Sequence, residues 1–141
     1  MKKDVILKIR GRQLYEDEEP DVIELTTEGT LEQKREDLWL ISYEESDLTG
    51  LEGTKTVFRV QPEEITLGRV GAVHSRMVFR EGMSYESLYQ VDAGALMLSV
   101  CTDKIHWELS EQGGYIHISY SIVIEHTAKG TVDYEVWITT K

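Results

Sequence analysis

Arg69 is the residue of this chain whose type and setting could do chemistry. It follows Ile65 and Leu67 at intervals of two, so in an extended segment the three side chains share one face. An arginine turned into an apolar interior costs several kcal/mol unless its charge is paired. The two-pronged guanidinium suits a carboxylate or a phosphate. Its partner is then an inward carboxylate, Glu45 if Tyr43 faces inward, or the anionic group of a ligand. The plain alternative sets Arg69 at a strand end near the rim, in a surface pair with Glu63 or Glu64, because long cationic side chains usually keep their heads in water. Around an inward Arg69, the aromatic side chains of Tyr43, Tyr89 and Trp107 are expected as wall residues of a ligand site.

Whether there is room for a ligand stays open. Phe58, Phe79, Trp107, Tyr120 and Tyr134 share parity with aliphatic neighbours and are expected inside, where large rings favour filling. Thr54, Thr56 and Ser75, also expected inside, are short and polar and leave space.

Other chemistry finds little support. His117 and His126 are nine residues apart on one extended segment, about 30 Å if it is straight, too far to share an ion. His74, His106 and His117 alternate away from the apolar face, and no His-x-x-x-His or Cys-x-x-Cys spacing supports zinc, so no metal is expected. No Gly-x-Ser-x-Gly elbow occurs, and no base can be placed beside Cys101. Glu44 and Glu45 point to opposite faces and make a poor acid–base couple. Gly-rich phosphate loops are absent. No catalytic residue and no cofactor is expected, and an enzyme is the least supported reading.

The formal net charge of −11 over 141 residues repels phosphate backbones and anionic membranes, so neither nucleic acid nor membrane is an expected partner. The single cysteine rules out an internal disulfide and fits a reducing compartment. Met1-Lys2-Lys3 starts like a signal peptide, but Asp4, Lys8, Arg10 and Arg12 interrupt any apolar stretch, and no run is long enough to span a membrane. The expected location is the cytoplasm. The length suggests one domain, residues 1–141.

The elements that must position these residues are strands. Ile116, Ile118, Tyr120, Ile122 and Ile124 alternate with polar neighbours, and Val132, Tyr134, Val136 and Ile138 do the same after Ala128-Lys129-Gly130. This pattern predicts a hairpin turning at that glycine. Further strands are expected over residues 3–14, from 22 to about 27, over 38–46 and 54–61, around 65–71 and 73–79, from 85 to 91, then around Leu96–Val100 and Ile105–Leu109. Gly29 suggests a bulge or kink in the second strand. Residues 31–37 hold good helix formers, but no cap or apolar stripe, which favours strand continuation. Asp47–Gly50 with Gly53, Pro62-Glu63 and Glu81-Gly82 are turn signals, and Gly113-Gly114 opens the final hairpin. About ten strands with short connections give up-and-down antiparallel topology. Closure removes the exposed edges. The expected fold is all-β, a closed antiparallel barrel of about eight to ten strands, with a sandwich as the alternative.

Several strings fall in a familiar order: Ile41-Ser-Tyr43-Glu-Glu45, Gly53-Thr54-Lys-Thr56, Ile65-Thr-Leu67-Gly-Arg69-Val-Gly71 and Met77-Val-Phe79-Arg-Glu-Gly82. Tyr85, Tyr89, Gly94, Gly114-Tyr115-Ile116 and Tyr120 complete it. Together they resemble the YwiB-like family, small proteins of unknown function from Gram-positive bacteria, over most of the chain. The resemblance implies a lipocalin-like, calycin-type barrel and no established activity. The Gly-x-Trp signature of true lipocalins is missing from the first strand, so lipocalin ligands do not carry over.

The expected function is a binding barrel that takes a small amphipathic or anionic molecule at one mouth, with Arg69 as the anion contact. Replacing Arg69 with Met should then abolish anion retention and keep the fold. The alternative is a filled barrel without ligand, docking a protein partner or a second copy of itself through outward aromatics such as Tyr115 and Trp137.

Overall fold

Alternation of apolar and polar side chains runs almost unbroken through the chain, and the computed structural model turns each alternating run into a strand. It describes residues 2–15, 18–46, 51–91, 93–126 and 128–141. The strands are β1 (Lys2–Tyr15), β2 (Asp21–Arg35), β3 (Leu38–Glu44), β4 (Lys55–Gln61), β5 (Glu64–Val70), β6 (Val73–Phe79), β7 (Ser84–Val91), β8 (Gly94–Ser110), β9 (Gly113–Ile124) and β10 (Ala128–Thr140). Each pairs antiparallel with its sequence neighbours, and β1 pairs with β10 from Val5↔Thr140 to Tyr15↔Gly130, which closes the barrel. The described residues contain no helix long and apolar enough to cross a membrane.

Residues 31–37 resolve as expected for most of their length: β2 continues to Arg35, and a turn at Glu36-Asp37 leads into β3. No bulge of the kind expected at Gly29 interrupts the pairing. Gly29 pairs in unbroken register with Val5 on one side and Tyr43 on the other, and the irregularity lies later, between Gln33 and Arg35. Gly29 instead permits close approach. A Cβ there would lie 2.4 Å from the Ser42 carbonyl oxygen and 2.8 Å from Leu7 Cδ1. Gly29→Ala is therefore expected to cost about 2 kcal/mol or more, as overpacking against backbone does. Urea denaturation checks this, and an unchanged midpoint would show that β2 and β3 can separate freely there.

The hairpin between β9 and β10 turns earlier than the glycine. Ala128 already pairs with Ile124, and the turn residues Glu125 and His126 take φ of 52° and 64°. Gly130 lies within β10, where the Tyr15 ring covers the place a Cβ would occupy, at 2.6 Å. Glu125 ties this tip to β8: its backbone N–H donates to Met97 O at 2.9 Å, and its carboxylate accepts from Met97 N–H at 2.8 Å. The turn expected at Asp47–Gly50 lies outside the described residues. Gly53, with φ of 86°, lies in a turn before β4, and Gly82, with φ of 75°, turns the chain from β6 to β7.

The two segments expected around Leu96–Val100 and Ile105–Leu109 are one long strand, β8. Its register against β9 slips between Thr102 and Lys104. The extra residue, Asp103, switches the inward set from Leu98, Val100 and Thr102 to Ile105, Trp107 and Leu109.

Half of the interior is packed solid. Val5, Leu7, Ile41, Phe58, Val60, Ile65, Phe79, Ile116 and Val136 are all at most 1% exposed. Together they close the end of the barrel where β1 and β3 begin. The other end, where β1, β3, β5, β7 and β9 finish, holds a cavity.

Candidate functional site

The inward rung that crosses β3 to β6 builds the polar side of this cavity. Tyr43 pairs with Thr56, Thr56 with Arg69, and Arg69 with Ser75, so all four point inside at one level. Glu45, two residues past Tyr43, also turns inward, with its side chain 1% exposed. Thr56 Oγ1 donates to Glu45 Oε2 at 2.5 Å, and Arg69 Nε lies 3.6 Å from the same oxygen. Arg69 thus chooses Glu45 over the rim. The alternative partners Glu63 and Glu64 pair with Arg80 instead, at 3.2 and 4.0 Å. The separation of 3.6 Å with no aligned hydrogen bond makes this an ion pair, and the buried Nε–H of Arg69 has no hydrogen-bond partner among the described residues.

The cavity measures about 350 Å³ and is lined by Arg69, Glu45 and Tyr43 on the polar side. Ile9, Leu25, Leu98, Ile122, Ile124 and Val132 line the apolar side, and Tyr89, Tyr120 and Tyr134 reach in from β7, β9 and β10. Six of the eight exposed large hydrophobics (Leu14, Val22, Ile23, Val70, Val91 and Leu96) stand on strand ends at this mouth, giving it an apolar collar.

Three of the four expected wall and contact residues therefore come together: Arg69, Tyr43 and Tyr89 line one cavity. Trp107 does not. It packs against the core nine residues beyond Leu98 along β8, where the strand has crossed toward the filled end. Tyr120 and Tyr134 take its place. Both were legible as inward, but as filling rather than as part of a site. The rings that do fill stand behind them: Phe79 lies 4.8 Å from Tyr120 and Phe58 lies 5.9 Å from Tyr134, centroid to centroid.

Burial pushes the hydroxyls of Tyr43, Tyr120 and Tyr134 above the ordinary phenol range, and the Arg69 guanidinium opposes the shift in each. Burial alone would lower the Arg69 pKa, but Tyr134, Tyr43, Glu45 and Tyr89 around it raise it on balance. The site thus holds a permanent cation, its counter-carboxylate and neutral phenol donors. A raised phenol keeps its proton in the folded state after the unfolded chain has lost it. The stability these tyrosines contribute is therefore complete below about pH 10 and drains as pH climbs past that value. In an alkaline titration followed by phenolate absorbance, Tyr43, Tyr120 and Tyr134 are expected to ionise only together with unfolding. Reversible ionisation of all seven tyrosines near pH 10 with the barrel intact would contradict their burial.

On the outside, Tyr115 and Trp137 face outward as expected but are only partly exposed. Their rings lie 5.6 Å apart, Lys8 Nζ sits 5.9 Å from the Trp137 ring, and the Tyr115 hydroxyl donates to Glu135 at 2.5 Å. Burial, followed by that hydrogen bond, pushes the Tyr115 hydroxyl up to about 12. His117 Nε2 pairs with Asp133 at 2.5 Å, while His74, His106 and His126 are exposed. Among the described residues no group of three or more histidine, cysteine, aspartate and glutamate side chains could hold a metal ion.

Fold and site together define a closed ten-stranded antiparallel β-barrel with an amphipathic cavity at one end and a packed core at the other. Over residues 7–136 the chain matches the family described as a domain of unknown function, DUF1934, and it belongs to that family. It is similar to the uncharacterized β-barrel protein YwiB of Bacillus subtilis (strain 168), with 31% identity over 140 residues covering 96% of each chain. The crystal structure of the ywiB protein from Bacillus subtilis superposes with a TM-score of 0.83 at 25% identity, covering 99% of this chain and 94% of that one.

Proposed function

We propose that this protein is a small-molecule-binding barrel that takes an amphipathic ligand through the collared mouth. The ligand lays its apolar part along Ile9, Leu25, Leu98 and Ile122 and its polar or anionic group against Arg69, Tyr43 and Tyr89. The observation that carries this reading is the Arg69 Nε–H, buried and without a hydrogen-bond partner among the described residues, at the wall of an otherwise mostly apolar cavity. A buried donor left unmade costs about 1–3 kcal/mol, and a ligand acceptor recovers it. The cavity volume sits at the low end of the roughly 300–1,000 Å³ seen for ligand pockets. The strongly acidic charge and single cysteine support a cytoplasmic setting and speak against nucleic acid or anionic membrane as partners.

Native mass spectrometry of untagged protein followed by solvent extraction tests the reading, together with titration by the neutral dye N-phenyl-1-naphthylamine. A co-purifying adduct, or saturable one-to-one dye uptake that Leu98→Trp abolishes, supports it. A bare mass combined with no dye uptake overturns it. That result would favour a filled barrel whose outer Tyr115–Trp137 face docks a protein or a second copy. A monomer mass unchanged across a dilution series would in turn count against self-association.

A further inference from the structure

We propose that the ligand is a single-chain monocarboxylate of roughly ten carbons, its head seated between Arg69 Nε and the tyrosine hydroxyls beside Glu45. This rests on the binding reading above and deepens it to a substrate class.

Charge at the head site decides against stronger anions. Glu45 stands 3.6 Å from Arg69 Nε with its side chain 1% exposed, so the one cation among the described lining residues is already balanced before a ligand arrives. A head group entering beside this neutral pair is attracted by Arg69 and repelled by Glu45 to comparable degrees. What separates candidate heads is then the cost of removing them from water, which grows with the square of the charge. A phosphate monoester, near −2 at neutral pH, pays about four times the desolvation of a monoanion in the same place. The described residues offer it no second cation in return: among those lining the cavity, Arg69 has no Lys or Arg beside it. A monocarboxylate pays far less and accepts from the orphaned Nε–H through a charge-assisted bond. Its second oxygen meets the neutral phenols of Tyr120 and Tyr134, the latter accepting a hydrogen bond from Tyr43. A neutral alcohol head would satisfy the same donors without the charge-assisted contact and should bind more weakly.

Size sets the chain. About 350 Å³ equals roughly twelve water-sized shares of about 30 Å³ each. Ten carbons and two oxygens match that number. The apolar side lies along one flank of the barrel, on the neighbouring strands β2, β1, β10, β9 and β8 that carry Leu25, Ile9, Val132, Ile122 and Leu98, and a single flexible chain can lie along it.

The test is calorimetric titration of the full-length, delipidated protein with three probes that share one chain: decanoate, decan-1-ol and decyl phosphate. Decanoate is expected to bind at least about tenfold more tightly than decyl phosphate, with decan-1-ol between them or weaker than both. Equal or tighter binding of decyl phosphate overturns the inference while the binding reading stands. No heat from any of the three sinks the binding reading itself. A second arm uses Glu45→Gln, which keeps an acceptor for Thr56 but leaves Arg69 unbalanced. In the folded variant decyl phosphate should gain at least about tenfold relative to decanoate, and an unchanged ratio would show that Glu45 does not set the preference. If the variant fails to fold, the wild-type order of the three probes still decides.

Discussion

Arg69→Met is expected to lower the unfolding free energy by about 3–5 kcal/mol, the loss that follows when one partner of a buried pair is removed. The reason lies with Glu45 more than with Arg69. Glu45's side chain is 1% exposed against 14% for Arg69, so the carboxylate is the member that cannot reach water once its partner is gone. The Thr56 hydroxyl still donates to it, but a neutral hydroxyl donor does not replace a guanidinium. Glu45→Met should cost less, because the partly exposed Arg69 head can turn toward the mouth. The double variant, Arg69→Met with Glu45→Met, should recover most of the single loss. An apolar pair of similar volume is often neutral or better in such a position. A double-mutant cycle by urea denaturation reads the pairwise energy directly, and strictly additive single effects would show that the two residues do not interact. The expectation that Arg69→Met removes anion retention and leaves the fold intact therefore needs the compensated variant as its control. In the single variant, lost binding and lost stability arrive together.

That pair also shows where sequence reasoning stops. The direction of Arg69 was legible from parity with Ile65 and Leu67, and that of Glu45 from parity with Tyr43. Their meeting was not, because it depends on the register of β3 on β4 and of β4 on β5, which brings Tyr43, Thr56 and Arg69 into one rung. Period-two alternation fixes the face of a side chain but not its height in the barrel. Trp107 is the clearest case: correctly inward, yet placed in the wrong half, because β8 runs from the mouth to the filled end in a single pass. A signal for this was present. The inward set of β8 changes from even to odd numbers between Thr102 and Ile105, and a parity switch without a turn signal marks a bulge in a continuous strand.

Glycines misled for a related reason. Gly29 and Gly130 suggest a bulge or kink and a turn, the usual roles of glycine, but both lie in paired strands where a neighbouring backbone or ring takes the space of a Cβ. The turn was made instead by Glu125 and His126 at positive φ, residues that carry no such expectation. The closed barrel itself was readable, since ten alternating runs with short connections leave few other ways to protect strand edges. Whether its interior was filled or open was not a property of any one residue. The answer is both: large rings fill one half, and tyrosines with short polar neighbours leave the other half hollow.

Phe58 stands at the boundary between those halves, and Phe58→Ala is expected to cost about 3–5 kcal/mol. The ring is 0% exposed, lies opposite Ile41 and Leu67 on the neighbouring strands, and backs Tyr134 with ring centroids 5.9 Å apart and planes tilted by 42°. Truncation removes its contacts and leaves a void that strands paired on both sides cannot collapse to fill. Phe58→Leu, which keeps most of the volume, should cost less than about 1.5 kcal/mol. The two variants separate packing from position. In Phe58→Ala the Tyr134 ring loses its backing and can swing out of the proposed head site, so affinity for the proposed ligand should fall along with stability. In Phe58→Leu affinity should stay close to that of the parent. Urea denaturation and probe titration on the same samples measure both. A cost below about 2 kcal/mol for Phe58→Ala would mean that the space behind Tyr134 already belongs to the cavity, and the cavity volume would then extend toward the packed half of the barrel.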